Sequence, residues 1–296
     1  MLNEDTPVPR SSRVTVVVAT KDRREELGRT LSRLAELRPR PPVIVVDNAS
    51  ADGTGAFTRS AFPWVEAVTL PENRGAAARN VGVALARTPY VAFSDDDSWW
   101  APGALERAAD VFDECPRLGL LAAAAFVGEE RRPDPINAQM AQNPFRRGPG
   151  LPGPEVLGFL ACAAVVRRTA FEQVGGFSEL LFFTREEALL AQDLAAAGWA
   201  LCHVADVHAL HHPSALRPPG SWRGRLERRN AVLAAWLRRP LERAVRETGE
   251  LARAAVTDPG ARGALGEALR RMPRALRGRR RLPARVERDL RILETR

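Results

Sequence analysis

Apolar positions in the first hundred residues come in short unbroken runs separated by helically spaced segments. Val14 to Ala19 is a β-branched run; Thr20-Lys21-Asp22-Arg23 follows, then Leu27, Leu31 and Leu34 at helical spacing, which predicts strand, loop and helix. Val43 to Val46 predicts a second strand, closed by the polar cluster from Asp47 to Gly53, which also suits the cap of a following helix. Val65 to Leu70 predicts a third strand, after which Asn73-Arg74-Gly75 leads into a helix over about Ala76 to Ala86. Tyr90 to Phe93 predicts a fourth, running straight into Ser94-Asp95-Asp96-Asp97. Because these runs are continuous and not alternating, they predict a mostly parallel sheet covered on both faces, hence an α/β fold. The polar clusters then fall at the carboxyl ends of strands, the edge where open α/β sheets bind ligands.

The pattern is less regular afterwards. A helix is expected from Pro102 to Phe112, with proline in its first turn. Gly128 to Pro154 holds six prolines and little periodicity, which predicts a functional or mobile loop. Leu157 to Val166 reads as a buried strand or core segment, and from Trp222 onward the spacing is helical, with Leu226, Leu233, Trp236, Leu237 and Leu241 set among arginines. No repeat of 20 to 50 residues is present.

Composition changes this picture in one respect. The 296 residues are 45% apolar and 27% charged, ordinary for a globular chain, yet the formal charge is +8. Residues 217 to 296 hold 22 Arg against 9 acids, while the other 216 hold 22 Lys and Arg against 27 acids. The excess is therefore a basic appendage on a slightly acidic body, which argues against a nucleic-acid-binding protein. Cys115, Cys162 and Cys202 match neither a zinc spacing nor a redox pair, so reduced thiols and a cytoplasmic protein are expected. The two longest apolar runs are ten residues each and the first thirteen residues lack an apolar core, so neither a membrane span nor a signal peptide is expected.

The strand-end clusters carry the chemistry. Three adjacent carboxylates, Asp95, Asp96 and Asp97, repel one another unless solvated or neutralised, and a hard divalent cation is the usual neutraliser. In an extended segment Asp95 and Asp97 share a side and can share a ligand. Mg²⁺ or Mn²⁺ held by so few carboxylates keeps positions open for phosphates, which points to a nucleoside diphosphate. Arg74 offers positive charge and Gly75 close backbone approach. Asp47 can take hydrogen bonds from a base or ribose, or cap the next helix; Thr20 ends the first strand in the same way, and Asp22 reads as a simple cap. No glycine-rich phosphate loop of the dinucleotide or P-loop type occurs, which disfavours those enzymes. Glu186 and Glu187 open a helix, where the dipole favours them, and either can serve as a general base. All four histidines, His203, His208, His211 and His212, lie within ten residues, which raises the prospect of a metal or phosphate role, with His211 the candidate.

Taken in order, VTVVVATKDR, VIVVDNASADGT, ENRGAAARNVGVALA and YVAFSDDDSWWAPGAL resemble family 2 glycosyltransferases of the GT-A fold, and FLACAAVVRRTAFEQVGGF, FFTREEALLAQDLAAAGW and ALHHPS resemble that family's acceptor half. The resemblance implies a GT-A domain over residues 14–216, with a nucleotide-binding half at 14–100 and an acceptor half at 101–216. A disordered segment at 1–13 and an Arg-rich helical extension at 217–296 flank it. It implies that Thr20, Asp47, Arg74, Asp95 and Asp96 hold the nucleotide sugar, that Asp97 with His211 meets Mg²⁺ or Mn²⁺, and that Glu187 or Glu186 is the catalytic base. The family commonly has Asp where Glu187 stands, and an acid where Leu189 stands. The activity implied is inverting transfer of a sugar from a nucleoside-diphosphate sugar to a hydroxyl acceptor, whether glycan, glycolipid or small molecule. Two alternatives stay open: a nucleotide-sugar-binding protein of this fold without turnover, and a nucleotidyltransferase. The tail is either a helical appendage packing on the catalytic domain with a solvated basic face or an anchor to an anionic membrane surface at its inner face, with Leu226, Leu233 and Leu237 on one side.

Overall fold

The structure is a computed structural model that describes residues 12–145, 148, 150–214 and 220–295. The expected disordered segment at 1–13 thus lies, but for its last two residues, outside the described residues. The first half alternates as its sequence predicts: β1 (Val14–Thr20), α1 (Arg24–Ala35), β2 (Val43–Asp47), α2 (Thr54–Ala61), β3 (Glu66–Thr69), α3 (Ala78–Leu85) and β4 (Tyr90–Ser94). β5 (Ser98–Trp100), α4 (Ala104–Glu114), β6 (Leu118–Val127), β7 (Arg132–Pro133), α5 (Pro135–Ala141), β8 (Ala164–Arg167), α6 (Arg168–Val174), α7 (Glu186–Ala196) and β9 (Ala200–His211) follow. Four helices close the chain: α8 (Gly220–Arg238), α9 (Leu241–Ala254), α10 (Pro259–Arg277) and α11 (Ala284–Glu294).

One sheet runs through the body in the order β3-β2-β1-β4-β8-β6-β9-β5, with β7 beside β6. β3, β2, β1 and β4 are parallel, as the continuous apolar runs require; β8 enters antiparallel between β4 and β6 and makes the second half mixed. Each face is covered. Val16 and Val18 pack with Leu27, Leu31 and Leu34 of α1, while Val17 between them packs with Ala78 and Val83 of α3. Full burial of each such leucine contributes about 2 kcal/mol. Gly82 lets α3 approach β1, since a Cβ there would stand 2.4 Å from Val17 Cγ1.

The proline-rich segment is more ordered than its sequence suggests. It contains α5, capped by the Asp134 side chain, and Asn137 makes two side-chain hydrogen bonds to the Ala125 backbone of β6, at 2.9 and 2.8 Å. Pro135, in the first turn of α5, pre-sets the backbone for the helix.

The extension is no loose appendage. Val232 of α8 meets Leu251 of α9 and Ala261, Ala264 and Ala268 of α10, and Leu233 and Leu237 pack directly on Leu181 and Leu189 of the body. Several of its arginines are structural. Arg239, buried, binds Glu287 at 2.8 Å and Glu294 at 2.6 Å; Arg238 clasps Asp193 of α7; Arg285 reaches the Ala195 carbonyl at 2.9 Å. Leu226, Leu233 and Leu237, expected as one side of a surface anchor, are 3%, 0% and 5% exposed and form the seam with the body.

Candidate active site

Three loops at the carboxyl edge of β1, β2 and β3 are tied together by short polar side chains. The parallel register sets Thr20 beside Asp47, and Asn48 N–H donates to the Thr20 carbonyl at 2.8 Å. Asn48 then bridges to the third loop: its Oδ1 accepts the Arg74 N–H at 2.7 Å and its Nδ2 donates to the Gly75 carbonyl at 3.0 Å. Asp47 is buried and accepts the Ser50 N–H at 3.0 Å, closing its own turn. Caps for the helices come from elsewhere, since Asp52 accepts both Arg24 N–H and Thr54 N–H at the starts of α1 and α2. Asp22, read as a cap, instead accepts the Ala51 N–H at 2.6 Å and pairs with Lys21. Arg74 pairs with Glu179, an exposed carboxylate that competes weakly for it.

β4 ends at Ser94, and the aspartates form a tight turn held by Asp95 N–H to Ser98 Oγ at 2.7 Å. The alternation expected of an extended segment is therefore absent, and the three carboxylates diverge. Asp95 pairs with Arg79 of α3. Asp96 is buried, accepts the Thr20 hydroxyl at 3.1 Å and lies 3.7 Å from Arg23. Burial, opposed by Arg23 but reinforced by Asp95 and Asp97, pushes the Asp96 carboxyl up to about 7. Asp97 accepts the Ser214 N–H at 2.9 Å, stands 3.4 Å from His211 Nε2 and shares Arg23 at 3.9 Å. Burial alone would raise Asp97, yet His211, the Ser214 amide and Arg23 together hold it below the usual carboxylate range. Asp96 and Asp97 thus share the guanidinium of Arg23.

His211 reaches this turn because β5 pairs antiparallel with the end of β9, Ser98 opposite His211. The other histidines point elsewhere: His203 is buried against the Ala122 carbonyl, His208 bonds the Ala205 carbonyl, and His212 stacks on Trp99 at 5.1 Å. Among the described residues no three His, Cys, Asp or Glu side chains converge on one point. The Asp97–His211 pair still fits a divalent cation, since one oxygen and one imidazole donor leave the remaining positions for diphosphate oxygens. Beside Asp97 a groove of about 1010 Å³ opens along α1, bordered by Arg33, Trp99, Glu129, Arg131 and His212, so the start of the proline-rich segment does line the site.

On the Asp95 side lies α7. Glu186 is 3% exposed with Oε2 unpartnered, while Glu187 is half-buried. Burial raises both carboxyls, and each also raises through its neighbours: Glu186 through Glu187, and both through Asp95, with Arg79 opposing. Arg79 is the residue that sequence reasoning missed. Buried and 5.7 Å from the Phe177 ring centroid, it pairs with Asp95 and lends its charge to Glu186 and Glu187. Its only signal was its place one residue before Asn80 in the third motif.

The loop before α7 is strained. Phe182, Thr184 and Arg185 have φ of 68°, 69° and 63°, each costing on the order of 1 kcal/mol or more in a residue with a Cβ. Asn230 of α8 holds them, donating to the carbonyls of Leu181, Phe183 and Thr184 at 2.9, 2.7 and 2.8 Å. On the other side the Phe182 carbonyl accepts Ala76 N–H at 2.7 Å. Gly75 makes this approach feasible: its φ is +58° and a Cβ would stand 2.0 Å from that oxygen. The close approach expected at Gly75 is therefore occupied by the loop that carries the two glutamates.

A parallel half-sheet with polar loops at its carboxyl edge, an acidic turn ending its fourth strand and a helix opening with two adjacent glutamates make up a GT-A glycosyltransferase fold. The chain belongs to glycosyl transferase family 2, whose model matches residues 15–175. It is 28% identical over 235 residues to an N-acetylglucosaminyl-diphospho-decaprenol L-rhamnosyltransferase of Mycobacterium tuberculosis, covering 67% of this chain and 75% of that one. It is 33% identical over 180 residues to a pre-mycofactocin glycosyltransferase of the same species, 57% of this chain and 36% of that protein. Among solved structures, a mannosyltransferase from Pyrobaculum calidifontis in complex with GDP-Man and Mn²⁺ superposes with a TM-score of 0.57 at 21% identity, over 99% of this chain and 81% of that one. S. aureus TarS in complex with UDP-GlcNAc gives 0.58 at 19% identity, over 80% and 69%.

Proposed function

We propose that this chain transfers a sugar from a nucleoside-diphosphate sugar to a hydroxyl of a lipid-linked saccharide, with inversion at the anomeric carbon. The observation that carries the reading is the division of the aspartate turn: Asp97 faces His211, and Asp95 faces Arg79 and the glutamate pair. Thr20, Asp47, Asp95 and Asp96 line the nucleotide side, and Arg74 with Arg23 supplies positive charge to the diphosphate. Asp97 and His211 would hold Mg²⁺ or Mn²⁺. When bound, that cation adds positive charge where the departing diphosphate becomes more negative. Glu187, half-buried and reachable, takes the proton of the acceptor hydroxyl as its oxygen attacks the anomeric carbon from the face opposite the diphosphate. Glu186 is enclosed, and its raised carboxyl stays protonated near neutrality, so it spares Glu187 a second full negative neighbour.

A panel of UDP-, GDP- and dTDP-sugars with Mg²⁺ or Mn²⁺, read by nucleoside diphosphate release, tests this. Glu187→Gln should lower kcat at least 100-fold while donor binding stays within twofold, and Asp97→Ala should abolish metal-dependent turnover. A Glu187→Gln enzyme as fast as wild type would return the base to Glu186; binding without turnover in wild type would favour the non-catalytic alternative.

The same reading assigns the extension a membrane-facing role. The surfaces of α9 and α10 carry exposed Leu241, Val245, Leu269 and Leu276 among Arg246, Arg253, Arg274 and Arg277, a composition suited to an anionic bilayer surface. No helix among the described residues is long and apolar enough to cross a membrane, so contact would be peripheral. Flotation with phosphatidylglycerol vesicles should be lost in a Leu241→Ser/Leu269→Ser variant; equal flotation would remove this role.

A further inference from the structure

We infer that a cationic pocket at the seam between body and extension binds the phosphate groups of the acceptor. The cavity, about 390 Å³, is walled by Phe182, by Arg225 and Arg229 of α8, and by Glu267, Arg270 and Arg271 of α10. Four guanidinium groups face one carboxylate. Glu267 already serves Arg225 at 3.4 Å and Arg229 at 3.1 Å, which leaves Arg270 and Arg271 without an anionic partner among the described residues. The excess registers on Arg229, which is held below the usual arginine range by burial first and then by repulsion from Arg271 and Arg225. Concentrating like charges in a recess is unfavourable unless an anion arrives, and planar guanidinium groups match phosphate oxygens two bonds at a time.

The position of the pocket identifies the ligand. Phe182 forms its wall, the Phe182 carbonyl docks on Ala76 of the donor loop, and four residues later α7 opens with Glu186 and Glu187. An acceptor held here by its phosphates lies against the loop that contacts Ala76 and leads into the glutamate pair. The chemistry selected is a saccharide carried on a phosphate or diphosphate, the class that the name of the rhamnosyltransferase relative describes. The inference rests on the proposed transferase activity. A bilayer headgroup offers the same phosphate, so the test must separate the two sources.

The experiment uses the full chain and an Arg270→Gln/Arg271→Gln variant; neither side chain makes a hydrogen bond among the described residues, so folding should be retained. Calorimetric titration with inorganic pyrophosphate in metal-free buffer should show binding by wild type, at least tenfold weaker binding by the double variant, and retained binding by Arg74→Gln. With an active donor, the acceptor KM for a diphosphate-linked saccharide should rise at least tenfold in the double variant with kcat within twofold, and the same saccharide on a neutral alkyl chain should show no such rise. Flotation on phosphatidylglycerol vesicles should persist in the double variant. Equal pyrophosphate binding in wild type and double variant, loss only in Arg74→Gln, or loss confined to flotation would each overturn the assignment. If no donor is turned over, the transferase reading fails, and the pyrophosphate titration still decides the pocket.

Discussion

The carboxyl edge of the parallel strands and the helical extension are both rich in charge, but the two use it differently. At the edge, Asp47, Asp96 and Asp97 each sit at or just beyond the point where a strand stops, so topology alone gathers them on one edge of the sheet. In the extension, arginines spaced evenly along helices divide by packing. Arg229 and Arg239 are buried and partnered, Arg238 is half-buried and paired with Asp193, while Arg270 and Arg274 stand exposed. A net charge of +13 over residues 217 to 296 does not separate these groups. Charge at strand ends reads as a site; charge on a helix must first be sorted by what the helix packs against.

That contrast would blur if the extension proved as necessary to catalysis as the edge. The largest effect is expected within the edge itself. Gly75→Ala brings a Cβ against the Phe182 carbonyl at a positive φ, and should cost about 2–4 kcal/mol of stability and lower kcat/KM at least 100-fold, measured by urea unfolding and donor turnover. Next, Asn230→Ala removes three hydrogen bonds from the strained loop although Asn230 lies on α8. It should lower kcat about tenfold with donor KM unchanged, and lower stability by about 1–3 kcal/mol. Unaltered kcat would return the extension to a passive role.

The smallest effect concerns Glu186. Its folded carboxyl is raised from 4.5 to about 8, so the folded state holds its proton more tightly than the unfolded chain does. The resulting destabilisation is absent below about pH 4, accumulates as pH rises through the unfolded value, and is complete above the folded one. Glu186→Gln should therefore raise the melting temperature at pH 8 and leave it unchanged at pH 4. A pH-independent difference would mean the carboxyl titrates normally.

Much of the edge was legible because it is local. Continuous valine runs ending at Thr20, Asp47 and Ser94 placed the strands and the polar residues after them, and the parallel register followed from burial on both faces. Arg79 was not legible, since an arginine inside a helical motif gives no sign that it is enclosed between Asp95 and two glutamates more than a hundred residues away. The histidine cluster was partly misleading. Strand alternation and the irregular pairing between β6 and β9 send three of its members elsewhere and only His211 to Asp97.

The sequence by itself determined the alternating first half, the acidic turn at the end of β4 and the carboxylate pair at the start of α7, because each depends on spacing within a few residues. The tertiary structure decided which carboxylates face one another, that Gly75 admits the Phe182 carbonyl, and that α8 of the basic tail holds the strained loop before Glu186. Those outcomes turn on contacts between residues far apart in the chain, where burial and hydrogen-bond geometry, not local pattern, select the partner.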